Sequence, residues 1–417
     1  MKRPVAAAIL IALTASLSLT ATSAATAAHG DAVRDREYWL DEYGIRDAWA
    51  TTKGEGITIA VIDTGVDGSV PDLEGAVVGG TDFSGLGSRD GQTPVGSTGE
   101  EHGTMVASLA AGRGTGGNNG VIGSAPAASI LSISIGFGEG STSSDDQIAN
   151  AVRWAVDNGA DIINMSLTRN TLEWPESWDD AFLYAMQNDV VIVAAAGNRG
   201  SGTTTVGAPA TMPGVLTVAG VDRNGEASFD ASSQGITIAV AAPSEELVGA
   251  VPGGGYVVWN GTSGATPIVA GVVALVMSAH PGLDAANVIN RIVQTAKDAG
   301  DTGTDAIYGF GLIDAEAAVA DPDIPRVESN PMGDLAEWIT VYRRADATPA
   351  PLPSFSPAPT PAPIAAGPAN PLGTLLPTVN LLRNVGIPAG VILLFAGIVA
   401  WLIVAGVGRF KGPRQTE

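Results

Sequence analysis

Residues 128–167 read ASILSISIGFGEGSTSSDDQIANAVRWAVDNGADIINMSL, and the reading of this stretch decides the fold. Its two ends, ASILSISI and ADIINMSL, are short runs rich in Ile, Leu and Met, the composition of strands covered on both faces. Between them SDDQIANAVRWAVDNG is helical, with Ser144 and Gln147 at capping-box spacing and Gly159 able to end the helix. Strand, helix, strand in series implies a parallel pair joined by a crossover. GITIAVID (56–63), DVVIVAAAGN (189–198) and GVLTVAG (214–220) extend the same pattern. The expected fold is therefore α/β: a doubly wound, mostly parallel sheet with helices on both faces. In such a sheet, sites form outside the carboxyl ends of the strands.

The chain has 417 residues, enough for one sizeable domain plus accessory segments. Its formal charge of −22 argues against nucleic acid as a partner and against docking on anionic lipid through a basic patch. With no cysteine, thiol catalysis, disulfides and cysteine zinc sites are excluded. Three histidines make a histidine-rich metal centre a poor reading.

Both ends of the chain point to a membrane. Residues 1–27 have the form of an export signal: Lys2 and Arg3, an apolar run, then Ala25-Thr26-Ala27 at the exit. An apolar run over 387–407, roughly 30 Å long as a helix, is long enough to span a bilayer. Arg409, Lys411 and Arg414 follow it, so the tail is expected in the cytoplasm and the domain outside. The organisation expected is a signal peptide (1–27), an N-terminal extension (28–50), a catalytic domain (51–322), an amphipathic segment and Pro-rich linker (323–384), a transmembrane helix (385–408) and a cytoplasmic tail (409–417). In the amphipathic segment, Leu335, Trp338, Ile339 and Tyr342 share one helical face that either packs on the domain or meets a partner. The proline-rich stretch beyond it reads as an extended spacer.

VVWNGTSGATPIVAGVVALV (257–276) places Ser263 between Gly261 and Gly264, where a strand-like run gives way to a helix-like one. Pro267 suits the first turn of that helix, which puts the hydroxyl at its positive end. A plain capping serine is the commoner role for such a residue. A nucleophile needs a base and a group to orient that base. His29 lies beside the cleavage site and His280 at a helix end. His102, in EEHGTMVASLAAG, opens a helix beside a glycine-rich loop and is the best base. Asp63 closes the strand GITIAVID at the binding edge and ranks above Asp67, which lies past the turn. Asn198 leaves another buried strand at the same edge and suits an oxyanion donor.

IAVIDTGVD, HGTMVAS, AAAGN and GTSGATPIVAG together resemble the aspartate, histidine, oxyanion and serine motifs of the subtilisin-like serine peptidases, the subtilases, in that family's order. The likeness runs over about 38–320 and includes YGFGLIDAEAAV (308–319). It implies a triad of Asp63, His102 and Ser263, with Asn198 as oxyanion donor. It also implies an S1 cleft walled by Ser166, Leu167 and Thr168 on one side and Ala195, Ala196 and Gly197 on the other. Catalysis in the family needs no cofactor; structural calcium is common in it, but no contiguous oxygen-ligand loop is recognisable here. Gly264 stands where many members carry Met or another larger residue, Thr168 and Ser108 where glycine is frequent, and Glu101 where glycine is common. Glu100 and Glu101 are expected to favour the imidazolium and to move the acid limb of the pH profile upward. No room is apparent between signal and domain for the inhibitory propeptide of many secreted subtilases. That feature, the linker and the membrane helix resemble the mycosins of type VII secretion, which commonly carry cysteines.

The leading function is thus a membrane-anchored extracellular serine endopeptidase acting on protein or peptide. The alternative is a weak or inactive subtilase-fold scaffold of a membrane secretion complex. A third reading, an aspartic peptidase built on the two D-T-G triplets at Asp63 and Asp301, conflicts with the parallel pattern and with the polar setting of Asp301.

Overall fold

The computed structural model describes residues 31–343 apart from residue 141. The expected signal sequence, His29, the proline-rich stretch, the apolar run read as a transmembrane helix and the basic tail lie outside the described residues. Seven strands form one sheet: β1 (Thr58–Asp63), β2 (Val77–Asp82), β3 (Ser129–Ser134), β4 (Ile162–Met165), β5 (Val191–Ala195), β6 (Leu216–Val221) and β7 (Ile238–Pro243). Their spatial order is β2-β3-β1-β4-β5-β6-β7, and every pairing is parallel. From β1 the chain runs to the edge strand β2, returns to β3 between the two, and then crosses to β4 on the other side of β1. The carboxyl ends of β1 and β4 therefore flank the point where the winding reverses, the place where such sheets bind ligands.

Strands β3 and β4 and the helix between them form as the sequence predicts, with one change of detail. Helix α4 (Ser144–Asp157) is capped by Ser143, whose Oγ accepts from the Asp146 amide at 3.2 Å. Gln147 is drawn instead into the loop before the helix, where it accepts from Gly136 N and donates to the Thr142 carbonyl. Strand β2 is not legible in the sequence because VVGGTD has little apolar content and is only half-buried. Strand β7 went unassigned although it is apolar and buried throughout. A two-stranded antiparallel hairpin, β8 (Leu247–Ala250) with β9 (Tyr256–Trp259), stands apart from the sheet.

The short helices α1 (Trp39–Glu42) and α2 (Ile45–Ala48) bury Trp39, Leu40 and Ile45, so the segment before residue 51 is part of the core. Helices α3 (His102–Ala111) and α4 are followed by α5 (Glu176–Gln187), α6 (Thr262–Ala279), α7 (Ala285–Thr295), α8 (Ala315–Ala320) and α9 (Leu335–Tyr342). Helix α9 settles the amphipathic segment's role by packing back on the domain. Leu335 is buried, the ring of Trp338 lies tilted against that of Trp174 with centroids 4.3 Å apart, and Arg343 just beyond pairs with Asp179 at 2.8 Å.

Helix α6 is the core element. It packs against α3 and against β4, β5, β6 and β7. By length and composition α6 is also apolar enough to cross a membrane, but it is 78% buried inside the domain, which makes it a core helix. It starts at Thr262, so Pro267 lies in its second turn rather than its first. Proline has no N–H to give the carbonyl four residues back, and that carbonyl belongs to Ser263. The Ser166 hydroxyl, arriving from the end of β4, donates to it at 2.8 Å. Leu275 is fully buried on α6; Leu275→Ala is expected to lower the stability of the domain by about 2–5 kcal/mol, read by denaturant unfolding.

Candidate active site

Asp63 is the last residue of β1 and is fully buried. Its Oδ1 accepts the Thr64 amide at 2.7 Å and lies 2.8 Å from Nδ1 of His102, with Oδ2 at 3.0 Å from the same nitrogen. His102 is the first residue of α3, so one strand end and one helix start meet at this contact. Thr64 ties them: its Oγ1 donates to the Glu100 carbonyl at 3.0 Å and accepts from the Gly103 amide at 3.0 Å. Thr64 was not singled out in the sequence, although its place directly after Asp63 is the available signal.

Burial is the largest single influence on His102 and opposes its protonation. The charge of Asp63, its hydrogen bond and the charge of Glu101 together outweigh burial, so the imidazole is held above the ordinary histidine value. Glu101 is the glutamate whose charge acts on His102, whereas Glu100 meets Thr64 through its backbone carbonyl. Asp67, ranked below Asp63, is engaged elsewhere, accepting from Ser69 and from the Gly253 amide.

Ser263 is the second residue of α6, just after Gly261, whose φ of 143° no ordinary side chain adopts comfortably. The Ser263 hydroxyl donates to the Ser166 carbonyl at 3.1 Å. Ser166 and Ser263 thus bond reciprocally, hydroxyl to carbonyl in each direction. Among the described residues no hydrogen bond joins Ser263 to His102, the one link the sequence reading expects and the structure lacks. Asn198 follows β5, and its Oδ1 accepts both the amide of Thr262 at 2.8 Å and the Thr262 hydroxyl at 2.9 Å. This anchoring leaves Nδ2 without a partner among the described residues, and a Cβ added at Gly261 would lie 2.9 Å from it. A fixed amide donor beside the turn that carries Ser263 is chemically suited to a developing oxyanion. Thr262, which orients it, also escaped the sequence reading.

Strands β4 and β5 are neighbours in register Met165↔Ala194. Ser166, Leu167 and Thr168 therefore leave the sheet beside Ala195, Ala196 and Gly197. Leu167, Ala195 and Ala196 are buried, while Thr168 is half-buried. His280 sits at the end of α6 with Nε2 at 2.8 Å from the Val319 carbonyl, a structural role. Asp301 lies exposed in a loop, its amide bonded to Asp305, whereas Asp63 is buried on the sheet; the two do not form a pair. Among the described residues no group of three or more histidine or acidic side chains is arranged to hold a metal ion.

The subtilase family model matches residues 54–311, more than half of the chain, and the protein belongs to that family of serine peptidases. It is 39% identical to subtilisin E of Bacillus subtilis (strain 168) over 270 residues, which cover 64% of this chain and 66% of that one. Two solved structures are similar at 32% identity and a TM-score of 0.58. The MycP3 protease from the type VII (ESX-3) secretion system is matched over 68% of this chain and 87% of its own. MycP1 with the N-terminal propeptide removed is matched over 71% and 99%.

A base must be neutral to accept a proton, so with His102 as the expected base its raised value would displace the acid limb of kcat/KM upward. Glu101→Gln is expected to move that limb to lower pH and Glu100→Gln to leave it in place, measured as a pH–rate profile on a peptide substrate.

Proposed function

We propose that the protein is a membrane-anchored extracellular serine endopeptidase using Asp63, His102 and Ser263, with Asn198 as oxyanion donor. The observation that carries this reading is the contact of His102 Nδ1 with the buried Asp63 carboxylate, at 2.8 and 3.0 Å. A carboxylate so placed fixes the tautomer that leaves Nε2 free to accept a proton. The Ser263 hydroxyl then leaves the Ser166 carbonyl, donates to Nε2 and attacks the scissile carbonyl. The oxygen of that carbonyl takes up negative charge, which Nδ2 of Asn198 meets. His102 passes the proton to the departing amine, and an acyl-enzyme on Ser263 remains. Water, deprotonated by the same imidazole, attacks the acyl carbon, frees the carboxylic acid and restores the hydroxyl. The substrate chain lies extended between the segments 166–168 and 195–197, bound through its backbone. No cofactor takes part, and calcium remains unassigned.

The export signal and the apolar run near the C-terminus support the anchored, outward-facing topology. The likeness to MycP3 and MycP1 supports an association with type VII secretion machinery.

One observation favours the scaffold reading. The Ser263 hydroxyl is bonded to Ser166 rather than to the base. In a weak or inactive member, that reciprocal pair would lock the turn and the fold would serve assembly alone.

The full-length protein is expected to react with a fluorescent fluorophosphonate, with all labelling lost in Ser263→Ala. In His102→Ala labelling is expected to fall by at least a thousandfold. A folded wild-type protein that does not label supports the scaffold reading, as does a secretion complex that assembles and functions with Ser263→Ala.

A further inference from the structure

We propose that Trp259 is a positioning residue for His102, holding the imidazole inside the cleft from a slot that Gly264 and Gly249 leave open. The inference rests on the peptidase reading above. Asp63 grips His102 through Nδ1 alone, and 28% of the histidine side chain is exposed. A ring held at one nitrogen and open to solvent can swing about that bond, carrying Nε2 away from the serine. Trp259 closes the open side. Its ring meets the imidazole edge to face, with centroids 5.6 Å apart and planes at 74°.

Trp259 is the last residue of β9, paired with Leu247 across the hairpin. The seat of its indole is built from absent side chains. A Cβ at Gly264, the residue after Ser263, would stand 3.3 Å from Cη2 and Cζ2 of Trp259 and 2.3 Å from Cδ1 of Leu247. A Cβ at Gly249 would stand 3.1 Å from the indole Nε1 and 2.9 Å from Cβ of Met105, which lies on α3 three residues after His102. The indole thus reaches from the neighbour of the nucleophile to the helix that carries the base. Its Nε1 is buried without a hydrogen-bond partner among the described residues, so shape and not a polar bond seats the ring. This also gives the unusual Gly264 a physical reason: a larger residue there would collide with Leu247, the cross-strand partner of Trp259, and crowd the indole beside it.

The test uses the full-length protein and a small fluorophosphonate, which carries no residue on the leaving side and so reports on the base and nucleophile alone. Trp259→Ala is expected to lower the labelling rate about tenfold, and Trp259→Phe to keep it within about threefold of wild type because a ring edge remains. Gly264→Ala is expected to slow labelling as Trp259→Ala does, with little further loss in the double variant. Removing the indole admits water to the imidazole and eases the opposition of burial to its charged form, so the pH midpoint of labelling is expected to rise in Trp259→Ala and to return in Trp259→Phe. Equal labelling of wild type and Trp259→Ala overturns the inference, as do equal losses in the Ala and Phe variants or a loss with no movement of the midpoint. Should Trp259→Ala lose resistance to limited proteolysis, the Phe and Gly264→Ala variants decide. Wild-type protein that shows no Ser263-dependent labelling overturns the peptidase reading and this inference with it; Ser263-dependent labelling indifferent to Trp259 overturns this inference alone.

Discussion

The burial of α6 against β4, β5, β6 and β7 is the contact on which the remaining structure depends. An 18-residue helix that is almost wholly apolar has one stable place in a water-soluble domain, against the sheet. Once there, its first turn meets the carboxyl edge of the strands. Ser263 is the residue of that first turn left partly accessible, whereas Thr262 and Gly264 to Val276 are buried. Position and exposure of the hydroxyl therefore follow from packing, before any chemistry is considered.

Polar groups then join segments that packing has only brought near. Pro267 removes one helical hydrogen bond, and Ser166 supplies its replacement, which ties the end of β4 to the turn carrying Ser263. Thr262 does the same for Asn198 at the end of β5, and Thr64 for the start of α3 at the end of β1. Each tie is a short hydroxyl satisfying backbone or amide groups that the sheet edge would otherwise leave exposed or unpaired. The same three strand ends carry Asp63, the 166–168 wall and Asn198. Rigidity of the edge and placement of the proposed site are thus one arrangement.

Electrostatics at the edge are set by competition. Burial disfavours the imidazolium, and a buried carboxylate in direct contact reverses that balance with help from Glu101. For the base proposed above, this means that the charged form is stabilised by contacts already in place. Trp259 lies against the imidazole without adding charge, and its proposed effect is on the orientation of that ring and its access to water.

Much of this was legible in the chain. Period and composition are local properties, so the strands β1, β3, β4, β5 and β6, the helix α4 and the parallel architecture could be read from runs of a few residues. Asp63 and Asn198 could be read as candidates because each follows an apolar strand run close to a glycine, and His102 and Ser263 because each opens an apolar helical run beside one. Strand β2 was not, since its two glycines and half-exposed face carry no period; pairing with β3 alone makes it a strand. The cap at Ser143, the second-turn place of Pro267 and the single acting glutamate were also beyond reach, because each depends on a partner distant in sequence or on a shift of one residue. Sequence by itself determined which residue types stand at the strand ends. Tertiary structure alone decided which of them touch, because hydroxyl ties such as Thr64 to Gly103 and Ser166 to Ser263, and the contact of Trp259 with His102, join segments far apart in the chain and exist only after folding has brought them together.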